Sequence, residues 1–461
     1  MLGGMAPSRR PASSLIALGV AGFTLAFWGL KRDVGWLAQP FYAYAWWSYI
    51  AIVDGVVALT RGGSLLTTRR RLLPALLLWS VSFWFLFELL NMRFQNWYYV
   101  GVWSARSPVE LALTGLFAFV CFATVFVGLF ETFDLVSAIA RQRRGPVARE
   151  LPAWVSYAVQ GLGAVMVALA VGFPYWLAPL VWGSVTFLLD PWNYRRGARS
   201  LLAEAERGNI GIVARLLAAG MVCGLVWESL NFLAPQKWIY TVRGLEELKL
   251  FEMPVLGFLG FPALALDAFA AWGTISYLLY GNRTWEHPDD VGQGLDTRPP
   301  TARRLRFAML PLHVVFWGVV TLSAQYVNVG SVELHLGHVE SLPHEHIDTV
   351  RAAGIRRPRQ LLQALGEPGR RRRLAAALRF DDAALGELQR ELELLTHKGI
   401  GNDHGRLLRR SGIRSVAELG EADPDALYRR LAEVRRRADV RFPALRPEMV
   451  RVWVRAARAE P

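Results

Sequence analysis

Two glutamates occupy positions where a membrane protein should show lipid a hydrocarbon side chain. Glu88 and Asn91, in Phe87-Glu88-Leu89-Leu90-Asn91, sit inside an apolar stretch, and the pair recurs as Glu228 and Asn231 in Trp227-Glu228-Ser229-Leu230-Asn231. Each pair is followed by Trp-X-Tyr, Trp97 with Tyr99 and Trp238 with Tyr240. A carboxyl away from water is costly to ionise, so it needs a partner or a cavity and by default marks a functional site. Glu and Asn three positions apart share a helix face. Two such faces brought together would put both carboxyls in one low-dielectric pocket, where one of them becomes a proton donor at neutral pH. The structural alternative has each Glu hydrogen-bonded to a neighbouring span, with Asn as interhelical glue. Asp54 and Asp190, each shortly after a Trp, would close the same pocket or cap span ends, and Asp190-Pro191 reads as a helix end. Glu110, just after Pro108-Val109, is a further candidate acid or a residue favoured at a helix N-terminus by the macrodipole. Asp267 is another acid with no evident partner.

The elements that must position these residues are membrane spans. With 53% hydrophobic residues, 18 Trp and 24 Phe in 461 positions, the chain is too apolar for a soluble protein of this length. Its two cysteines, Cys121 and Cys223, lie in apolar runs, which excludes a disulfide framework and a Cys-type zinc site. The net charge of +14 lies mostly in loops and in an Arg-rich tail. The first apolar run, Ser14 to Leu30, lacks a small-residue cleavage site and is expected to remain as an anchor.

Segments able to cross about 30 Å of hydrocarbon are expected at 13–30, 41–60, 72–91, 109–131, 153–173, 174–190, 210–231, 254–280 and 306–327. Two halves align in order. Trp36-Leu37-Ala38 answers Trp176-Leu177-Ala178, Asp54 answers Asp190, Ser64-Leu65-Leu66 answers Ser200-Leu201-Leu202, and Pro108-Val109 answers Pro254-Val255. The expected fold is all-α: four-span membrane repeats at 13–131 and 153–280, related by an axis along the membrane normal, then a further span at 306–327. A His-rich linker at 328–341 and a soluble domain at 342–461 follow. Basic loops around Arg9, Arg61 to Arg71, Arg141 to Arg149, Arg195 to Arg207 and Arg283 to Arg304 place the N-terminus in the cytoplasm of a multi-pass inner-membrane protein. The odd number of spans then places the tail outside it.

Trp97-Tyr98-Tyr99 with Ser107-Pro108-Val109-Glu110 resembles the aromatic stretch and Pro-X-Glu motif of heterodimeric-type lycopene cyclases, membrane carotenoid cyclases built from repeated helical units. The resemblance implies protonation of a polyene, with Glu110 as the acid; Leu111 stands where that family has a second carboxylate. Trp-Glu-Ser-Leu-Asn, Lys237-Trp238-Ile239-Tyr240 and the run from Phe251 to Pro262 resemble uncharacterised bacterial multispan proteins, which bring no assigned activity.

After Val329 the chain turns polar and Arg-rich, in short amphipathic helices. Leu395 to Ile413, with its Gly399-Ile400-Gly401, resembles a helix-hairpin-helix. Leu342 to Leu365 reads as a second, divergent unit, with Ala353-Gly354-Ile355 answering Ser411-Gly412-Ile413. The stretch from Leu342 to Ala457 resembles a bacterial helix-hairpin-helix family of unknown function. In such hairpins Lys398, Gly399, Gly401 and Arg406 would contact a nucleic-acid phosphate. An extracytoplasmic tail favours a protein partner or an anionic surface over nucleic acid. His335, His338, His344 and His346 cluster in and beside the linker, with ligand types that suit zinc or copper, or as solvated residues. His313 is the one histidine inside a span, which excludes bis-histidine haem, and no cofactor is expected. These features support a repeated core that binds an apolar or lipid-like ligand at the Glu/Asn pairs, enzymatic or not, with a docking tail. A proton-coupled transporter and a non-catalytic scaffold are the alternatives.

Overall fold

The computed structural model describes residues 9–94, 96–100, 108–140, 151–240, 249–287, 303–327, 336–397, 400–438, 445 and 447–459. The chain divides into two compact units, Met1–Phe94 with Leu116–Ala234 and Leu248–Thr321, and Gln95–Gly115 with Pro235–Glu247 and Leu322–Pro461.

The first unit is helical. Its elements are α1 (Arg9–Arg32), α2 (Gly35–Ala38), α3 (Phe41–Arg61), α4 (Leu73–Phe94), the end of α5 (Pro108–Phe122), α6 (Val125–Ile139), α7 (Ala153–Gly172), α8 (Pro174–Leu177), α9 (Ser184–Arg195), α10 (Leu201–Glu206), α11 (Gly211–Leu233), α12 (Gly260–Leu279) and most of α13 (Arg303–Val327). Among the described residues, eight helices are long and apolar enough to cross a membrane. Large apolar side chains such as Leu18, Val165, Leu312 and Val315 are exposed along them, the kind of surface that lipid would cover.

The expected span at 174–190 is not one helix. It breaks into α8, a 3₁₀ turn at Ala178–Val181 and α9, with Gly183 at φ +91° between them. Pro179 has no N–H to continue a helix, and the left-handed backbone at position 183 suits glycine. The pieces nevertheless run back along α7: Gln160 donates to the Leu188 carbonyl at 3.0 Å, and Arg195 lies over the Tyr157 ring. Gly163 permits this approach, because a Cβ there would stand 2.8 Å from the Leu188 nitrogen. The expected span at 109–131 is also shifted, since the chain breaks at Ala123–Thr124 and the candidate crossing runs over Gly115–Ile139.

The second unit holds a ribbon and the tail. Strands β1 (Trp97–Val100) and β2 (Lys237–Tyr240) pair antiparallel, Trp97 opposite Tyr240 and Tyr99 opposite Trp238. The two Trp-X-Tyr motifs are thus each other's partners. A two-residue pairing in the first unit, β3 (Lys249–Leu250) with β4 (Met253–Pro254), is the other sheet among the described residues.

The tail comprises α14 (Ile347–Ala352), α15 (Pro358–Gly366), α16 (Pro368–Leu378), α17 (Asp382–Thr396), α18 (Gly401–Arg410), α19 (Val416–Glu421), α20 (Pro424–Arg437) and α21 (Pro447–Ala459). Helices α14 and α18 end alike. Gly354 and Gly412 take φ +79° and +90°, their N–H groups donate to Arg351 and Arg409, and the next amides, Ile355 and Ile413, donate to Val350 and Leu408. This is the Schellman arrangement that satisfies orphan carbonyls. The following helices also start alike: Gln360 accepts from the Arg356 and Arg357 amides, and Glu418 accepts from the Arg414 amide. Two adjoining cores result, one around Leu361, Leu378 and Leu388, the other around Leu407, Leu431 and Trp453.

Candidate functional site

Glu88 and Asn91 lie on α4, Glu228 and Asn231 on α11, and all four are buried. Glu88 accepts the Trp84 indole N–H at 3.0 Å, one helical turn back. Asn231 donates to Glu228 at 3.4 Å, so Glu and Asn do share a face. The Trp84 ring lies 5.4 Å from that of Trp227, the residue before Glu228. This contact joins α4 to α11 through an aromatic layer. Trp46 of α3 meets Trp227 at 5.5 Å, Phe261 of α12 meets it at 6.1 Å, and Phe87 stacks on Trp182 at 5.0 Å. Both carboxyl-bearing helices therefore present rings to one aromatic layer, and burial among rings strengthens a hydrogen bond.

Asp54 and Asp190 occupy matching positions and make matching bonds. Asp54 accepts from the Ser64 hydroxyl at 2.6 Å and the Leu66 amide at 2.8 Å. Asp190 accepts from the Leu201 and Leu202 amides at 2.6 and 3.0 Å. Each carboxylate clasps the turn that follows its helix, which is the capping use open to it. Asp267, expected to lack a partner, instead caps α9: it accepts from the Gly183 and Thr186 amides and the Thr186 hydroxyl at 2.7–2.8 Å. The break before α9 leaves those amides free of helical acceptors, and the neighbouring α12 supplies one. The Glu110 side chain lies outside the described residues.

In the other unit Trp97 and Tyr240 are buried in the ribbon, and the Trp238 indole donates to the Tyr240 hydroxyl at 2.9 Å. His313 is a packed histidine. Its Nδ1 is 2.6 Å from the Ser82 hydroxyl, and its ring lies between Trp79 and Trp317.

The first unit also buries charged side chains that the sequence does not single out. Glu131 and Asp134 are buried on α6 beside Arg61 and Arg69. Arg69 donates to Asp134 at 2.7 Å and to the Trp285 carbonyl, and Glu131 accepts the Leu65 amide at 2.9 Å. Nearby, Arg199 is buried between Glu286, which it bonds through Nε at 2.9 Å, and Glu204. Burial works against this guanidinium's charge, but Glu286 and Glu204 outweigh it and hold its pKa above the ordinary arginine value. These arginines count as loop charge in the sequence; in the fold they are internal ion-pair partners. Acids spaced i,i+3 in Glu131-Thr132-Phe133-Asp134, flanked by apolar residues, were the available signal.

In the tail, Gly401 is buried at the start of α18 with φ +67°. Arg406 is already paired with Asp403 at 2.8 Å. Lys398 and Gly399 lie outside the described residues, as does His335. His338 and His344 are exposed, and His346 sets its edge against Phe380 at 5.4 Å. Among the described residues, no group of three or more His, Cys, Asp or Glu is arranged to hold a metal ion.

No curated protein and no solved structure matches the chain. Residues 340–460 match the family described as Domain of unknown function (DUF4332).

Proposed function

We propose that the first unit is a duplicated, multi-pass membrane bundle that binds an apolar or lipid-like ligand beside the Glu88/Asn91 and Glu228/Asn231 pairs. The tail then serves as a docking module for a protein partner. The observation that carries the ligand reading is the aromatic contact between Trp84, which holds Glu88, and Trp227, which adjoins Glu228. A carboxyl that accepts an indole N–H beside a layer of rings suits a ligand with an apolar body and a polar group. Duplication is supported by the matching Asp54 and Asp190 clasps and by the mutual pairing of the two Trp-X-Tyr motifs.

The broken segment running back along α7 supports a ninth crossing beside the eight long helices. Nine crossings from a cytoplasmic N-terminus put the tail on the extracytoplasmic side, away from nucleic acid. The exposed Arg70, Arg71 and Arg196 still support that orientation, although Arg69 and Arg199 are neutralised internally. A proton-coupled transporter is the second reading, favoured by the discontinuous segment at Gly183.

Comparing membrane lipid and isoprenoid profiles of cells carrying wild type and the E88Q/E228Q double variant tests whether the site is catalytic. An accumulating apolar species in the double variant supports an enzyme; an unchanged profile removes catalysis and leaves binding.

A further inference from the structure

We propose that Asp54 and Glu131 form a proton-binding site in the membrane unit, distinct from the Glu88 and Glu228 pairs and resting on different observations. The amides of Leu65 and Leu66 are consecutive, and they donate to Glu131 Oε1 at 2.9 Å and to Asp54 Oδ2 at 2.8 Å. Neighbouring amides bring the two carboxyls side by side, within hydrogen-bond reach of each other. Both residues are almost wholly buried, and Glu131 Oε2 receives no hydrogen bond from another described group. Two carboxyl oxygens in contact, with no N–H between them, repel when both are ionised. A single proton shared by the pair turns the contact into a charge-assisted hydrogen bond.

The surrounding charges leave that role open. From the turn after α3, Arg69 is committed to Asp134 at 2.7 Å and to the Trp285 carbonyl. Arg61 of α3 also faces Asp134, at 4.0 Å. From α11, Arg215 donates to Ser137 and lies over Phe133, while Cys223 meets Thr132, which also bonds Tyr49 of α3. Helices α4 and α12 meet α6 with the uncharged Ser80 and Trp272. Two guanidiniums thus face Asp134; Arg69 also acts electrostatically on Asp54 and Glu131, and Asp134 opposes it at Glu131, but the hydrogen bonds described for Arg69 go to Asp134 and the Trp285 carbonyl and not to the pair. The region around Arg199 is built differently: Arg199 stands between Glu204 and Glu286, and Arg207 also pairs with Glu204, so two guanidiniums offset the two acids without a proton.

Infrared titration of the full chain in lipid nanodiscs tests this, run in the E88Q/E228Q background so that the ligand site contributes nothing. A protonated-carboxyl C=O band is expected at neutral pH and should fade as pH rises. It should be lost on adding E131Q or D54N. A background protein with no such band, or a band that E131Q leaves unchanged, overturns the proposal. Should those variants fail to fold, peptide mapping after treating wild type with an apolar carbodiimide, which attacks protonated buried carboxyls, decides. An adduct on Asp54 or Glu131 that declines with rising pH is expected, and its absence from both overturns the proposal.

Discussion

Arg199 shows how much a single buried charge can hold in place. Removing one partner from a buried ion pair leaves the others uncompensated, at a cost of about 3–5 kcal/mol. R199M should therefore lower the unfolding stability of the purified protein by that order, because Glu286 would be stranded while Glu204 keeps Arg207. Unchanged thermal unfolding would show the cluster to be solvated. In the tail, hydrogen bonding to Arg390 and then Arg409 holds the Glu387 carboxyl below the usual glutamate range. A depressed folded value stabilises at pH above the unfolded value and is lost as pH falls through the folded one. Urea unfolding of the full chain should weaken in acid, and E387Q should flatten that acid limb. Only some of this was legible in the sequence. The burial of Glu88, Asn91, Glu228 and Asn231 could be anticipated, because each pair lies inside an apolar run of the sequence. Asp267 and Glu131 were misread or passed over because their meaning depends on which amide a distant turn presents, Gly183 for one and Leu65 for the other.

Helix ends carry most of the information at the scale of elements. Ala353-Gly354-Ile355 and Ser411-Gly412-Ile413 correspond in the sequence, and in the fold each closes a helix, because a left-handed residue ending a helix selects glycine locally. The same locality yields a prediction. G412A places a Cβ in the left-handed region at φ +90° and should cost about 1–2 kcal/mol in the tail's unfolding stability. A variant as stable as wild type would contradict the observed cap. The expected sixth segment, by contrast, reads as one short apolar run that could be tilted or re-entrant, because hydropathy counts apolar residues without asking where the N–H groups go. Pro179 and Gly183 break it, and the rescue comes from Asp267 far along the chain. Likewise the segment expected at 109–131 stops at Glu131, whereas α6 runs on to Ile139 with Glu131 and Asp134 buried beside arginines.

Across the whole molecule, the largely helical character and the membrane-length apolar helices were readable from composition and run length alone. The two cores of the tail follow from a motif repeated at one spacing. What no pattern could supply is the aromatic layer that links α4 to α11, since Trp84, Trp227, Phe87 and Trp182 are brought together only by packing. That layer is the basis of the ligand reading. Native mass spectrometry of the protein released from membrane extracts, wild type against E88Q/E228Q, tests it most directly. A bound apolar or amphipathic mass is predicted on wild type and is predicted to fall at least several-fold in the double variant. Wild type without any bound mass, or a double variant that retains it in full, would contradict a ligand site at the paired glutamates.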